Sequence, residues 1–111
     1  MPITNDAIQS HSFLADMYAD EYFPPVLVDK VKAILLGVCE KIEAKKPSLE
    51  DLYEITHAAT EEINDLQEEF EDQDSEIETV ARDTIGGDFA FIAEAYGYEA
   101  DTEELIFPRD W

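Results

Sequence analysis

Between Leu49 and Phe70, mostly apolar residues recur at alternating spacings of three and four without a slip: Leu49, Leu52, Thr56, Ala59, Ile63, Leu66 and Phe70. A period near 3.6 keeps such a set on one side of a helix, so the spacing predicts a long helix with one buried stripe. A helix that is apolar on one side only must be covered. The other apolar segments of the chain read as its cover.

Residues 25–45 carry the broadest of these. Leu27, Val28, Val31, Ile34, Leu35, Val38, Cys39 and Ile42 share one face, wide enough to touch two neighbours, which makes this the central core helix. Tyr22-Phe23-Pro24-Pro25 separates it from a shorter helix before it, because a residue preceding proline is pushed out of the α region. Pro25 suits the first turn, where its missing N–H costs nothing. Ser12 reads as the cap of the shorter helix, with Asp16 in its first turn and Phe13, Leu14, Met17 and Tyr18 as its stripe. Ser48 is a good cap for the heptad helix, and Glu50 and Asp51 suit the positive end of its dipole.

The acids in Glu71-Asp72-Gln73-Asp74 oppose the dipole at the other end, so fraying is expected there. Ser75-Glu76-Ile77-Glu78 spells a capping box for a third long helix, with Ile77, Val80, Ala81, Thr84, Ile85, Phe91, Ile92 and Ala95 as its stripe. Gly86-Gly87 in its middle implies a kink or a close approach by a neighbour. Gly97 reads as a left-handed cap, and Asp101 or Thr102 as the start of a last turn. The expected fold is all-α, one domain over residues 1–111. It is a small helical bundle of three long helices, about 25–45, 48–70 and 75–96, plus a shorter N-terminal helix and a C-terminal helical turn. Short loops make neighbouring long helices antiparallel.

Charge restricts function more than any motif does. The chain of 111 residues carries a net charge of −21, yet 45% of it is hydrophobic, so it can build a core. Seven acids and five lysines share residues 1–46, whereas residues 47–111 hold 21 acids against Arg82 and Arg109. Glu61 to Glu78 contains ten acids and no basic residue. Such a surface repels phosphate backbones, which argues against direct binding to nucleic acid or an anionic membrane. It attracts a basic protein, although acidic helix faces also serve solubility alone. The lysines at 30, 32, 41, 45 and 46 read as partners for the acidic helices beside them.

No apolar run approaches the ~20 residues of a membrane span. The opening Met1-Pro2-Ile3-Thr4-Asn5-Asp6 lacks the basic and apolar parts of a signal peptide, so a cytoplasmic location is expected. Cys39 stands alone on an apolar face and reads as a buried thiol.

Few residues suggest chemistry. Tyr53, His57, Thr60, Asn64 and Gln67 form a neutral polar ridge beside the heptad stripe. They are either a boundary layer bonded to neighbouring helices or the wall of a ligand groove. Glu54-Ile55-Thr56-His57 spells the Glu-x-x-His pair of di-iron bundles, with Glu61 one turn on. It occurs once and away from the apolar stripe, which favours a surface ion pair over metal. Asp72, Asp74 and Glu76 alternate as in a calcium loop, but Ile77 stands where that loop needs glycine. His11 has no ligand-like spacing around it.

Asp88 falls at the centre of an apolar stripe. It is either a buried carboxylate needing a partner such as Arg82, Lys30, Lys41, Tyr18, Tyr22 or Trp111, or the cap of a new segment after Gly87. No Ser-His-Asp set, phosphate loop or zinc pattern accompanies it.

Leu52-Tyr53-Glu54-Ile55-Thr56-His57-Ala58-Ala59-Thr60-Glu61-Glu62-Ile63-Asn64, the ending from Ala95-Tyr96-Gly97-Tyr98-Glu99-Ala100-Asp101 to Pro108-Arg109-Asp110-Trp111, and the opening Asp16-Met17-Tyr18 with Tyr22-Phe23-Pro24 together cover most of the chain. These stretches resemble a family of small acidic bacterial proteins of unknown function. The resemblance implies a stand-alone bacterial cytoplasmic domain and carries over no functional residue. It draws attention to the tail, where Ile106, Phe107 and Trp111 are expected to pin the chain to the bundle while Arg109 pairs with an acid.

The leading expectation is a non-enzymatic, acidic interaction protein, inhibitor- or immunity-like, that docks a basic protein partner through Glu61, Glu62, Asp65, Glu68, Glu69 and Asp72. The alternative is a small-molecule or metal-binding helical domain using Tyr53, His57, Thr60, Asn64 and Asp88. A homodimer through an uncovered part of the residue 25–45 stripe is a third. No cofactor is implied.

Overall fold

The computed structural model describes residues 3–111, so Met1 and Pro2 of the opening stretch read for a signal peptide lie outside the described residues. In chain order the helices are α1 (Asp6–Ser10), α2 (Ala15–Tyr18), α3 (Pro25–Lys45), α4 (Leu49–Asp72), α5 (Thr79–Ala95) and α6 (Thr102–Leu105), with no strand among the described residues. The bundle is all-α, as the apolar periodicity predicts. No described helix is long and apolar enough to cross a membrane.

The heptad stripe becomes the buried side of α4. Leu52, Thr56, Ala59, Ile63, Leu66 and Phe70 are all buried, and only Leu49, in the exposed first turn, is not. Helix α3 packs most extensively against it. Lys30, near the start of α3, lies 2.5 Å from Glu69, near the end of α4, so the pair runs antiparallel. Pro25 stands in the first turn of α3, and Ser48 Oγ accepts the Asp51 N–H at 3.2 Å to cap α4. Helix α5 contacts α1, α2, α3 and α6.

Helix α4 closes in an orderly way where fraying was expected. Asp74 takes a left-handed φ of 59°, the Ser75 N–H donates to Phe70 O at 2.8 Å, and the Asp74 N–H donates to Glu71 O at 3.0 Å. These are the paired bonds of a Schellman ending. Gly97, with φ of 84°, ends α5 with the same two bonds.

Two expected caps do not form. Ser75 is drawn into the α4 ending and buried. Helix α5 therefore starts at Thr79 behind Glu78, with no side-chain cap. Ser12 caps nothing either. The N-terminal helix is two short pieces, and α2 begins after Leu14 in a left-handed conformation with φ of 56°. The Leu14 N–H instead donates to Asp88 on α5, so a tertiary acceptor replaces the local one.

Along α5, Phe89 and Ala93 join the core while Val80 stays exposed. The helix runs through Gly86-Gly87 without a break. A Cβ on Gly86 would meet the Ile106 side chain at 3.4 Å, so its bareness serves the close approach of the tail; one on Gly87 would meet nothing within 4 Å. Gly87→Ala therefore gains helix propensity at no packing cost. It should raise stability by about 0.5–1 kcal/mol and the melting temperature by a few degrees, measured by thermal denaturation, with Gly86→Ala gaining less.

Candidate functional site

The polar ridge of α4 is a dock for the chain's own tail. The Asp101 N–H donates to Tyr53 Oη at 3.0 Å and His57 Nε2 donates to the Glu104 carbonyl at 2.6 Å, whereas the Thr60 hydroxyl donates to Thr56 O at 2.8 Å in its own helix and only approaches Leu105 O, at 3.4 Å. Asn64 uses both ends of its amide, donating to Pro108 O at 2.9 Å and accepting the Asp110 N–H at 3.0 Å. Gln67 turns back to Asn64 O at 3.4 Å. Tyr53, His57 and Asn64 thus each satisfy a backbone group of residues 101–110, whose own backbone bonds are limited to the single turn of α6 and the turns after it.

Below this run Leu105, Ile106 and Trp111 are buried, but Phe107 is 75% exposed, contrary to its expected part in pinning the tail. The turn at residues 106–108 spends Ile106 on the core and carries the next ring outward. Both arginines end at Trp111 O, Arg82 Nε at 3.2 Å and Arg109 Nη1 at 2.7 Å. Arg109 also reaches Glu103, at 3.6 Å.

An open cleft of about 910 Å³ lies between the tail and α4, lined by His57, Asp101, Glu103, Glu104, Phe107 and Arg109 among others. The His57 ring in its wall lies 6.3 Å from the Tyr53 ring and 6.4 Å from that of Phe107. Outside the cleft, Glu61, Asp65, Glu68 and Asp72 project from the side of α4 opposite the core, and Glu62 stands on its flank toward α3, beside Ile34 and Lys41. All five are exposed and none has an ion-pair partner among the described residues. Glu69 differs from them, since it is paired with Lys30.

Asp88 does not join the ridge. It is 7% exposed and lies within an unbroken helix, which excludes the capping alternative on its own segment. Oδ1 accepts from His11 Nε2 at 2.8 Å and Oδ2 accepts the Leu14 N–H at 2.7 Å. His11 in turn stacks on Phe91, with ring centres 3.9 Å apart. None of the partners expected for Asp88 is the one used. Its partner comes from the N-terminal segment, 77 residues away in sequence, which no local spacing signals.

Glu43, which sequence reasoning passed over, holds the other end of that segment. Its carboxylate accepts from Tyr96 Oη at 2.5 Å, from the Thr4 N–H at 2.9 Å and from the Asn5 N–H at 3.1 Å. The one available signal was its place on α3, at the edge of the apolar stripe beside Ile42. The Tyr96 hydroxyl above all, with the Thr4 N–H, holds the Glu43 carboxyl down at about 2. Burial, and then the charge of Glu43, push the Cys39 thiol up to about 12, an inert rather than a reactive cysteine. Among the described residues no three His, Cys, Asp or Glu side chains are grouped to hold a metal, and Glu54 brings His57 no further ligand.

Two outcomes follow. Asn64→Ala removes both tail bonds and should cost about 1–3 kcal/mol in urea unfolding, with faster amide exchange over residues 105–111 than in α3. Because the Glu43 pKa is depressed on folding, its stabilising contribution is complete above the ordinary value of 4.5 and is lost as pH falls from there toward 2. Carboxyl NMR should show the Glu43 midpoint near the bottom of that window, and Glu43→Gln should abolish the acid-dependent release of residues 4–5.

No curated protein and no solved structure matches the chain. A family model does, over residues 7–111, nearly its whole length: that of a family of unknown function, DUF5713. The chain belongs to that family.

Proposed function

We propose that the protein is a non-enzymatic, acidic interaction protein of the bacterial cytoplasm that docks a basic protein. An inhibitor- or immunity-like role against a cationic toxin or nuclease is the form such docking would take. The observation that carries this reading is the set of exposed carboxylates along α4. Glu61, Glu62, Asp65, Glu68 and Asp72 stand in solvent without intramolecular cations among the described residues, and Glu69 adds a sixth acid paired only at the surface. A net charge of magnitude about 2–8 suffices to keep a small domain soluble. A net of −21 exceeds that and carries self-repulsion that a basic partner would relieve.

The ridge that could have lined a ligand groove spends its hydrogen bonds on the tail, and no hydrogen bond among the described residues joins it to Asp88. The geometry therefore favours the outer carboxylates as the free chemistry of the molecule.

The test is a pull-down from the native cell lysate at low salt, eluted with a salt gradient and read by mass spectrometry. One basic protein at stoichiometric amount is the expected result; a diffuse set of basic proteins eluting early would overturn the reading. With that protein in hand, the variant Glu61→Gln, Glu62→Gln, Asp65→Asn, Glu68→Gln should slow association about tenfold at low salt and change dissociation much less.

A further inference from the structure

Phe107 is the most exposed large apolar side chain among the described residues, at 75%, and it sits in a turn whose backbone is tied down on both sides. The neighbouring side chains of Leu105 and Ile106 are buried, so the exposure belongs to this ring and not to a loose tail. Beside it the cleft offers acceptors. A carbonyl oxygen only accepts, so the His57 ring spends its Nε2–H on Glu104 O and, when neutral, keeps Nδ1 as a lone pair. Glu103 and Glu104 carry carboxylates 79% and 46% exposed.

One guanidinium already lies at the rim. Arg109 lies 3.6 Å from Glu103, with its carbon 5.9 Å from the Trp111 ring centre, a carboxylate on one side and an aromatic ring on the other. Glu104 and Phe107 line the same cleft without a guanidinium: among the described residues the Glu104 carboxylate has only His57 Nε2 beside it, at 3.6 Å, and that nitrogen already gives its N–H to the Glu104 carbonyl at 2.6 Å.

Resting on the reading that the partner is a basic protein, we propose that this cleft seats one arginine side chain of that partner. Its guanidinium lies on the exposed face of Phe107 and donates to the Glu104 carboxylate. Anionic ligands are repelled by three acids against one arginine. An apolar ligand would leave those carboxylates unsatisfied. A lysine ammonium satisfies a carboxylate but is a compact point charge without a flat surface to stack, so arginine is preferred. The ring contributes what the carboxylates alone cannot, a preference between two side chains of equal charge.

The experiment is an NMR titration of the full chain with hexa-arginine and hexa-lysine peptides at low salt. Hexa-arginine should bind about 2- to 5-fold more tightly, the size of a solvent-exposed cation–π contact. Its largest amide shifts should fall at His57, Glu104 and Phe107. Phe107→Ala should erase the preference while leaving hexa-lysine binding nearly unchanged. Phe107→Leu, which keeps an apolar side chain but no ring, should do the same, and Glu104→Gln should weaken both peptides. Equal binding of the two peptides, a preference that survives Phe107→Ala, or shifts confined to the outer face of α4 would each overturn the arginine seat and leave the basic-partner reading standing. Absence of binding by either peptide would overturn both.

Discussion

A helix of four or five residues does not hold its own shape in water, because too few hydrogen bonds follow the costly first turn. The bundle nevertheless closes its core with such pieces, α1, α2 and α6, which bring Ile8, Met17 and Leu105 onto the longer helices. Each piece is held from outside. Glu43 on α3 and Asp88 on α5 accept the backbone N–H groups of Thr4, Asn5 and Leu14, and the ridge of α4 takes the backbone of the tail. The polar side chains at the core boundary are therefore the supports of both chain ends. Burying the apolar residues of those ends requires that their backbone groups find partners, and these side chains are the partners.

This use of the boundary residues shapes the surface that remains. Once Tyr53, His57 and Asn64 are committed to the tail, what faces solvent along α4 is carboxylate apart from Leu49 and Ala58. The five lysines compensate little of it, since Lys30 alone forms an ion pair with an acid of that helix among the described residues. The aromatic ring of Phe107 is a large, exposed apolar feature set into the acidic field beside the tail. Charge alone attracts any cation, whereas a ring beside it distinguishes one cation from another. Under the proposed function, that difference is what would set a binding surface apart from a solubilising one.

The parts of the fold that were legible in the sequence share a property. The α3 and α4 stripes, the Ser48 cap, the left-handed Gly97 and the Asp101 cap are all set within one or two turns of the residues that specify them. Ser12 and Ser75 carry equally good local signals, and both fail. Ser75 is consumed by the ending of the preceding helix, and the role expected of Ser12 passes to an aspartate on another helix. Asp88 stands out in the sequence as a carboxylate among apolar residues, but its partner His11 shows no pattern at all. The partners of Glu43 were hidden for the same reason. Its donors come from residues 4, 5 and 96, and nothing in the spacing around residue 43 points to either end of the chain.

By itself the sequence determined the helical class, the long helices to within a few residues, the buried side of α4 and the sign and uneven placement of the charge. Each of these depends on periodicity or on summed composition, which the chain carries before it folds. Only the tertiary structure decided that the polar ridge serves the tail, that Asp88 is buried against His11, that Phe107 is left in solvent, and that a cleft opens between it and the acids. Those outcomes depend on which distant backbone groups must be satisfied once the core closes, and that is settled by the packing of the helices rather than by any one of them.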